Sequence, residues 1–369
     1  MINIMSENSV LEPPLVTADL PGIGGAIKVQ PEDFEVEEIP AYQPSGGGYF
    51  LYLWIEKHDM GAEYFTRQVA KRLGISAGEV GTAGLKDRRA VTRQWVSVPA
   101  SSEANLPKLD GDGIRVLQVS RHTNKLRPGH LHGNRFRVLV RSAGGSPAQA
   151  VQASRLHYEG IAAIVERLRQ HGLPNFYGAQ RFGRDGETLQ LGLALLRGET
   201  PERKVRNPFL KKLALSAAQS ALFNHYLGQR LQDGLLRRVL VGDVMAKIPF
   251  GGMFVAEVER EQQRFDAREI VTAGPIVGRK TFPAKDEAAE REAATLSAFQ
   301  LTPAMFAGFG KLLQGTRRHN LVYVDDLAWE ETPDGVRFSF TLPAGSYATV
   351  LLRELMKNDV SDADDAAAE

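Results

Sequence analysis

Strand-like segments lie towards both ends of this chain, and a long, mainly helical stretch separates them. Short runs of alternating, β-branched or aromatic residues predict strands at 26–29, 34–39, 49–55, 90–98, 134–141, 321–329 and 336–342. A turn at Pro174 ends the first group, and strand signals return near Tyr323. The first and last thirds of the chain therefore form one domain in our interpretation, with the middle inserted between them.

Helical periodicity marks the other segments. Phe65, Val69 and Leu73 lie on one predicted helix face, with Gly74 just beyond its end. Residues 235–282 are rich in Gly and Val and predict short strands. Further helices are predicted at 159–171, 213–231, 285–300 and 344–357, the last with Ser346 as its cap. The acidic tail, 361–369, is predicted to be disordered.

Charge is distributed unevenly although the formal net charge is only +1. Residues 1–60 contain 10 acidic residues and 2 Lys/Arg, whereas the stretch between Asp112 and Glu159 has no acidic residue but eight Lys/Arg and four His. A second acid-free stretch lies between Glu202 and Asp233. Basic stretches of this length favour contact with phosphates, because binding releases counterions. Two solvated basic faces are the alternative.

Several classes of protein are excluded by composition. The chain has no cysteine, which excludes disulfides, Cys-ligated zinc and a thiolate nucleophile. We find no phosphate-binding glycine loop and no group of metal ligands, and therefore expect no cofactor and no metal. With no apolar leader and no long apolar run, we expect a cytoplasmic protein that neither contacts a membrane nor requires a protein partner.

The densest motif is the sequence GTAGLKDRRAVTRQ at 81–94. Its glycines permit close approach of a backbone or a ligand. Asp87 follows Lys86 and precedes Arg88 and Arg89, so we expect an ionised carboxylate among cations. A solvated turn with surface charge pairs is the alternative interpretation.

This motif resembles the signature of the TruD family of tRNA pseudouridine synthases. Four other segments resemble motifs of that family in the same order: PEDF at 31–34, GNRF at 133–136, PNFYGAQRFG at 174–183 and LPAGSYAT at 342–349. Together they cover roughly residues 20–357. One departure is Tyr347, where the family more usually has Phe; Tyr can stack in the same way.

The resemblance implies that Asp87 is the nucleophile that converts a tRNA uridine, typically uridine-13, to pseudouridine without a cofactor. Attack at C1′ of the ribose or at C6 of the base both remain open. Phe34, Asn134 and Tyr347 match the family's uridine contacts, and Phe136 belongs to the segment near the base. Core aromatics and a turn asparagine are the alternatives for these residues.

Arg353 resembles the basic residue that such enzymes pair with the catalytic Asp, and Lys86 is expected to act electrostatically beside Asp87. The basic stretches are expected to hold the tRNA backbone through Arg121, Lys125, Arg127, Lys204, Lys211 and Lys212.

The fold implied is mixed α/β: a largely antiparallel catalytic sheet formed by 1–171 and 323–360, with a second α/β domain inserted at 172–322. The alternative functions are a non-catalytic RNA-binding or RNA-chaperone protein and a metal-dependent nuclease. The nuclease would require clustered carboxylates, whereas the acidic residues gather at the two ends of the chain.

Overall fold

The computed structural model describes residues 8–142, 147–199, 207–249 and 251–358. Its strands are β1 Phe34–Pro40, β2 Phe50–His58, β3 Gly81–Thr82, β4 Val91–Pro99, β5 Ile114–His122, β6 Leu131–Arg141, β7 Leu173–Pro174, β8 Val244–Lys247, β9 Met253–Val255, β10 Ile270–Ile276, β11 Thr316–His319, β12 Leu321–Val322, β13 Ala328–Thr332 and β14 Gly335–Pro343. Its α-helices are α1 Asn8–Leu11, α2 Ala62–Leu73, α3 Pro147–His171, α4 Glu187–Arg197, α5 Pro208–Gln232, α6 Val258–Asp266, α7 Asp286–Ala298, α8 Pro303–Ala307 and α9 Ala348–Met356. The predicted acidic tail and Lys204 lie outside the described residues.

The chain forms two compact units. Within the described residues, the sheet unit comprises residues 21–165, 324–348 and 355–358, and the helical unit comprises residues 8–20, 166–323 and 349–354. The domain boundaries at 172 and 322 stay a prediction.

Eight strands form one sheet in the sheet unit. Seven of them follow the order β13-β14-β6-β1-β4-β2-β5, and β3 pairs with β4. Only the β1–β4 pairing is parallel. The expectation of a mixed α/β fold with a largely antiparallel sheet is therefore confirmed.

Alternation along β1 separates the two faces of this sheet. Phe34, Val36 and Glu38 are buried on one face, whereas Glu35 and Glu37 are only partly buried on the other. Directly opposite residues of antiparallel strands share a face, so Asn134 and Phe136 of β6, which lie opposite Glu38 and Val36, lie on the buried face. This face carries three of the candidate residues, Phe34, Asn134 and Phe136.

The face that bears Glu35 and Glu37 is held by ion pairs. Arg93 contacts Glu35 with 3.4 Å between Nη1 and Oε2, and Arg135 contacts Glu37 with 2.8 Å between Nη1 and Oε1. Both pairs are partly exposed, so each contributes little stability, about 0–1 kcal/mol. Their side chains nevertheless make this face polar, which leaves the other face for the core and the candidate site.

The helical unit is built around α5. Asn207 caps its N-terminus by accepting the N–H of Phe209 at 2.9 Å, and Pro208 occupies the first turn. Helix α4 packs closely against α5 at Gly192, where a Cβ atom would lie 2.0 Å from the carbonyl oxygen of Ala214. Two further sheets, β11-β10-β8-β9 and β12-β7, complete this unit.

Three predicted elements differ from the structure, wholly or in part. Residues 26–29 form only an isolated bridge between Ala26 and Arg141, because Lys28 has a φ of +55° and leaves the extended conformation. The strand predicted at 321–329 divides into β12 and the start of β13. The segment predicted as short strands at 235–282 contains β8, β9 and β10 as predicted, but also the helix α6, which was not predicted. In the described residues, no helix is long and apolar enough to cross a membrane.

Candidate active site

Asp87 lies in the loop between β3 and β4, and its carboxylate is partly open to solvent. The Nζ atom of Lys28 is 2.8 Å from Asp87 Oδ1, with side-chain exposures of 7% for the lysine and 30% for the aspartate. Lys57 Nζ donates to the main-chain carbonyl of Asp87 at 2.8 Å. Lysines thus hold both the carboxylate and the backbone, while Oδ2 makes no hydrogen bond or ion pair within the part of the chain that the structure describes.

Sequence reasoning missed both lysines. It expected the cations next to Asp87 in the chain to surround the carboxylate, whereas the structure pairs the carboxylate with a residue 59 positions earlier. One signal was available: Lys28 and Lys57 are the only Lys/Arg among residues 1–60. Isolated cations in a strongly acidic segment are candidates for ion pairs with carboxylates.

Lys28 is fixed by more than its ion pair. Its Nζ lies 4.5 Å from the centre of the Phe34 ring, within the range of a cation–π interaction. Phe34 itself is only 2% exposed. A base could therefore stack on Phe34 only if the lysine moved, and in this structure the ring supports Lys28.

Lys86 has a different partner from the one expected. Its Nζ lies 3.0 Å from Glu38 Oε2 and donates to Asn134 Oδ1 at 2.8 Å. Lys86 and Glu38 are almost fully buried. Glu38 also accepts the N–H of Trp95 at 3.3 Å, at the point where β1 and β4 no longer pair. Lys86 therefore anchors the loop to the sheet and orients Asn134.

Aromatic rings extend this face of the sheet. Phe136 contacts Phe34 edge to face at a centroid distance of 6.0 Å and stacks on Phe340 at 5.2 Å. Phe136 is buried in this row of rings and packs against the Phe34 ring, over which Lys28 lies. Its predicted substrate contact stays a prediction.

Tyr347 is half-buried and follows the turn after β14. That turn is joined to β6, because the N–H of Ala344 donates to the carbonyl of His132 at 2.9 Å. His132 precedes Asn134 by two residues, so the turn begins beside the strand that carries Asn134. The predicted contact of Tyr347 with a base stays a prediction.

The remaining candidates have the following contacts and exposures. Arg353 belongs to the helical unit, where its guanidinium donates to the carbonyl of Pro13. Arg121 pairs with Glu103 on the surface, and Lys125 donates to the carbonyl of Gly78. Arg127 and Lys212 are exposed. Lys211 is partly buried, with its Nζ 5.4 Å from the centre of the Phe309 ring.

Several groups of the sheet unit have shifted pKa values, among them Glu32 and Tyr52. A hydrogen bond from His58 lowers the pKa of Glu32, with 2.6 Å between His58 Nε2 and Glu32 Oε1. Burial raises the pKa of the Tyr52 hydroxyl. His130 Nδ1 lies 2.7 Å from the Tyr42 hydroxyl.

Among the described residues, no three His, Asp or Glu side chains are placed to hold a metal ion together.

Known proteins resemble this chain over nearly all of its length. A family model for tRNA pseudouridine synthase D (TruD) matches residues 11–207 and 203–355. A protein of that name from an Anaeromyxobacter species is 45% identical over 348 residues, covering 93% of this chain and 96% of the relative. Its namesake from Thermus thermophilus is 41% identical over 351 residues, covering 95% of this chain and 93% of the relative.

The crystal structure of a Methanosarcina mazei protein described as a putative tRNA pseudouridine synthase D has the same fold. It superimposes with a TM-score of 0.72 at 24% identity, over 96% of this chain and 98% of the other. The fold of this chain is thus one that a crystal structure already shows. Together with the sequence matches, this places the chain in the tRNA pseudouridine synthase D (TruD) family, a family of isomerases.

Proposed function

We propose that this protein converts a uridine of tRNA to pseudouridine, with Asp87 as the nucleophile and, from the family resemblance, uridine-13 as the target. The observation that carries the proposal is the state of Asp87: one carboxylate oxygen is held by Lys28, the other has no partner in the described residues, and the loop is fixed on both sides. A nucleophile requires an oxygen that is accessible and correctly positioned.

The reaction balances without an oxidant, a reductant or a cofactor. Attack of the carboxylate at C1′ breaks the bond between N1 and C1′, and attack at C6 gives an adduct of the base. In either case the uracil detaches and rotates, and C5 bonds to C1′. C5 then loses its proton, N1 gains one, and Asp87 is released. Lys28 keeps its place beside Oδ1 and leaves Oδ2 to form the new bond.

Asn134 is the best-placed group to recognise the base. An ammonium group only donates hydrogen bonds, so Lys86 must face the amide oxygen of Asn134 and not its NH₂ group. The NH₂ group has no partner among the described residues and can donate to a uracil carbonyl oxygen. Tyr347 is the proposed stacking partner, because Phe34 is covered by Lys28.

The basic residues are proposed to bind the tRNA backbone. Arg127 and Lys212 are the most available of the described candidates, because both are exposed. Arg121 would have to exchange its contact with Glu103 for a phosphate. Lys125 would have to leave a carbonyl group in the same way.

The experiment is direct mapping of pseudouridine. Purified protein is incubated with tRNA transcripts, and pseudouridine is mapped along the RNA before and after. We expect one new pseudouridine at position 13, and none in a matched transcript with cytidine at that position. Binding without any new pseudouridine would favour a non-catalytic RNA-binding protein and contradict the proposal.

A further inference from the structure

Two residues before Asp87, a leucine is held out in solvent. Leu85 is 79% exposed, and no other leucine in the described ranges is as exposed. The side chains around it behave differently: Ala83 and Lys86 are buried. A single exposed leucine is common on protein surfaces, so the informative feature here is its position, two residues from Asp87 in an anchored loop.

The exposure of Leu85 does not come from a loosely held loop. Ala83 accepts the N–H of Gly129 at 2.8 Å, and Lys86 is held by Glu38 and Asn134. Asp87 is held through its carbonyl by Lys57. The loop is therefore anchored on both sides of Leu85, at Ala83 and at Lys86.

The space beside Leu85 is open. A Cβ atom added to Gly84 would meet no other atom within 4 Å. Arg88, three residues further along, is exposed as well. A partner with flat rings and a negatively charged backbone can approach this loop closely. RNA has both, in its bases and its phosphates.

We propose that Leu85 is a wedge that enters the base stack of the RNA next to the target uridine and occupies the place that the uracil leaves. This inference rests on the proposed function. A base that reacts inside an enzyme must first leave its stack, at a cost of a few kcal/mol in general. Apolar side chains inserted between base steps are a known means of stabilising such an opening.

The distance along the chain fits this role. Two residues span at most about 7 Å. When Asp87 touches the ribose or base of the extruded nucleotide, the backbone of Leu85 is therefore within about 7 Å of Asp87, close enough for Leu85 to reach the stack that the nucleotide left. Leucine is large enough to contact the neighbouring bases, and an alanine at the same position is not.

The test compares two RNA substrates and three variants. One substrate is a tRNA transcript with the target uridine stacked, and the other carries the same uridine in a bulge. We expect Leu85→Ala to lower the single-turnover rate at least about tenfold on the first and less than about threefold on the second, because the bulged base is already unstacked. Leu85→Met should stay within about threefold of the original protein on both.

Leu117→Ala is the matched control, since Leu117 is also an exposed leucine of the sheet unit but lies on β5. It should leave both rates unchanged. Equal losses for Leu85→Ala on the two substrates, or no loss on either, would overturn the proposal. Because Leu85 is exposed, the variants should unfold at the same temperature as the original protein.

A binding measurement separates this inference from the proposed function. 2-Aminopurine placed next to the target uridine reports unstacking by its fluorescence. In the Asp87→Asn protein we expect the signal to rise at least about twofold on binding, and in the Asp87→Asn/Leu85→Ala protein we expect no rise. A rise of equal size in both proteins would refute the wedge. If the original protein formed no pseudouridine, the proposed function would fail, and this binding test would still decide the role of Leu85.

Discussion

Two aspartates of this protein are paired with cations in opposite ways. Asp243 of the helical unit faces Arg230, with side-chain exposures of 3% and 1%. Arg230 donates to both oxygens of Asp243, at 2.7 and 3.0 Å, and the N–H of Leu240 donates to Oδ2 at 2.8 Å. Asp87 of the sheet unit has one cation on one oxygen and stands 30% exposed.

The difference separates a structural carboxylate from the proposed nucleophile. Both oxygens of Asp243 accept hydrogen bonds and are shielded from solvent, so this group can stabilise the fold but cannot reach a substrate. Lys28 fixes the direction of Asp87 without enclosing it. An ion pair alone is therefore a poor sign of catalysis, and the unoccupied oxygen is the informative feature.

Breaking the buried pair should give the largest change in stability. We expect Asp243→Asn to lower the free energy of unfolding by about 3–5 kcal/mol, because Arg230 is left buried without its counter-charge. Urea unfolding measures this value. The double variant Arg230→Met/Asp243→Leu should recover part of the loss. A loss below about 1 kcal/mol for Asp243→Asn, as for a surface pair, would contradict the comparison.

Removing the charge of Lys28 from its ion pair with Asp87 should affect the reaction more than the fold. We expect Lys28→Met to lower the single-turnover rate about ten- to a hundredfold, equivalent to about 1.4–2.7 kcal/mol, while tRNA affinity stays unchanged. Methionine retains an apolar chain over Phe34 but no charge. Lys71→Met on the exposed face of α2 is the control and should keep the full rate. Equal rates for the two variants would show that the charge of Lys28 has no role in the reaction.

Acid should destabilise the protein through a histidine of the helical unit. Burial lowers the pKa of His225, and neither of its ring nitrogens has a partner in the described residues. The unfolded chain therefore takes up a proton at a higher pH than the folded chain. The contribution of His225 to the free energy of unfolding is fully present above about pH 6.5. As the pH falls below about 6.5, the free energy of unfolding decreases by about 1.4 kcal/mol per pH unit until the folded-state pKa is reached.

Urea unfolding at pH 7.5 and pH 5.5 of the original protein and of His225→Leu checks this. The original protein should lose more stability between the two pH values than the variant does. The same pH dependence in both would show that His225 is not the group responsible.

The smallest expected change concerns the salt dependence of tRNA binding. Replacing Lys204, Lys211 and Lys212 together by Met should reduce the slope of log affinity against log salt by up to about 2–3, at about 0.7–0.9 for each phosphate that is no longer neutralised. Replacing Lys71 and Lys108, which are exposed in the sheet unit, is the control. An unchanged slope would mean that the stretch is only a solvated face.

Local patterns predicted much of the sheet unit, because alternation reports which side of a strand is buried. β1, β4, β6 and β14 follow their predicted segments to within a few residues. The helix α6 was missed because its Glu, Gln and Arg residues were averaged into a Gly- and Val-rich stretch. Asp87 and Asn134 could be singled out as candidates, because the residues of each motif are contiguous in the chain.

The partners of those residues could not be predicted in the same way. The contact of Lys28 with Asp87 spans 59 positions and depends on a left-handed turn at a lysine, which no propensity anticipates. The same limit applies to Lys86, whose neighbour in the chain is Asp87 but whose partners in space are Glu38 and Asn134. Burial of Phe34 beneath Lys28 likewise follows from tertiary packing only.

The most direct test of this account replaces the two aspartates in parallel. Asp87→Asn and Asp243→Asn are each assayed for pseudouridine formation in tRNA, for tRNA affinity and for stability in urea. We predict that Asp87→Asn forms no pseudouridine above background, binds tRNA as before and changes the free energy of unfolding by less than about 1 kcal/mol. The folded fraction of Asp243→Asn should keep its turnover. Full pseudouridine formation by Asp87→Asn would contradict the central claim that this carboxylate is the nucleophile.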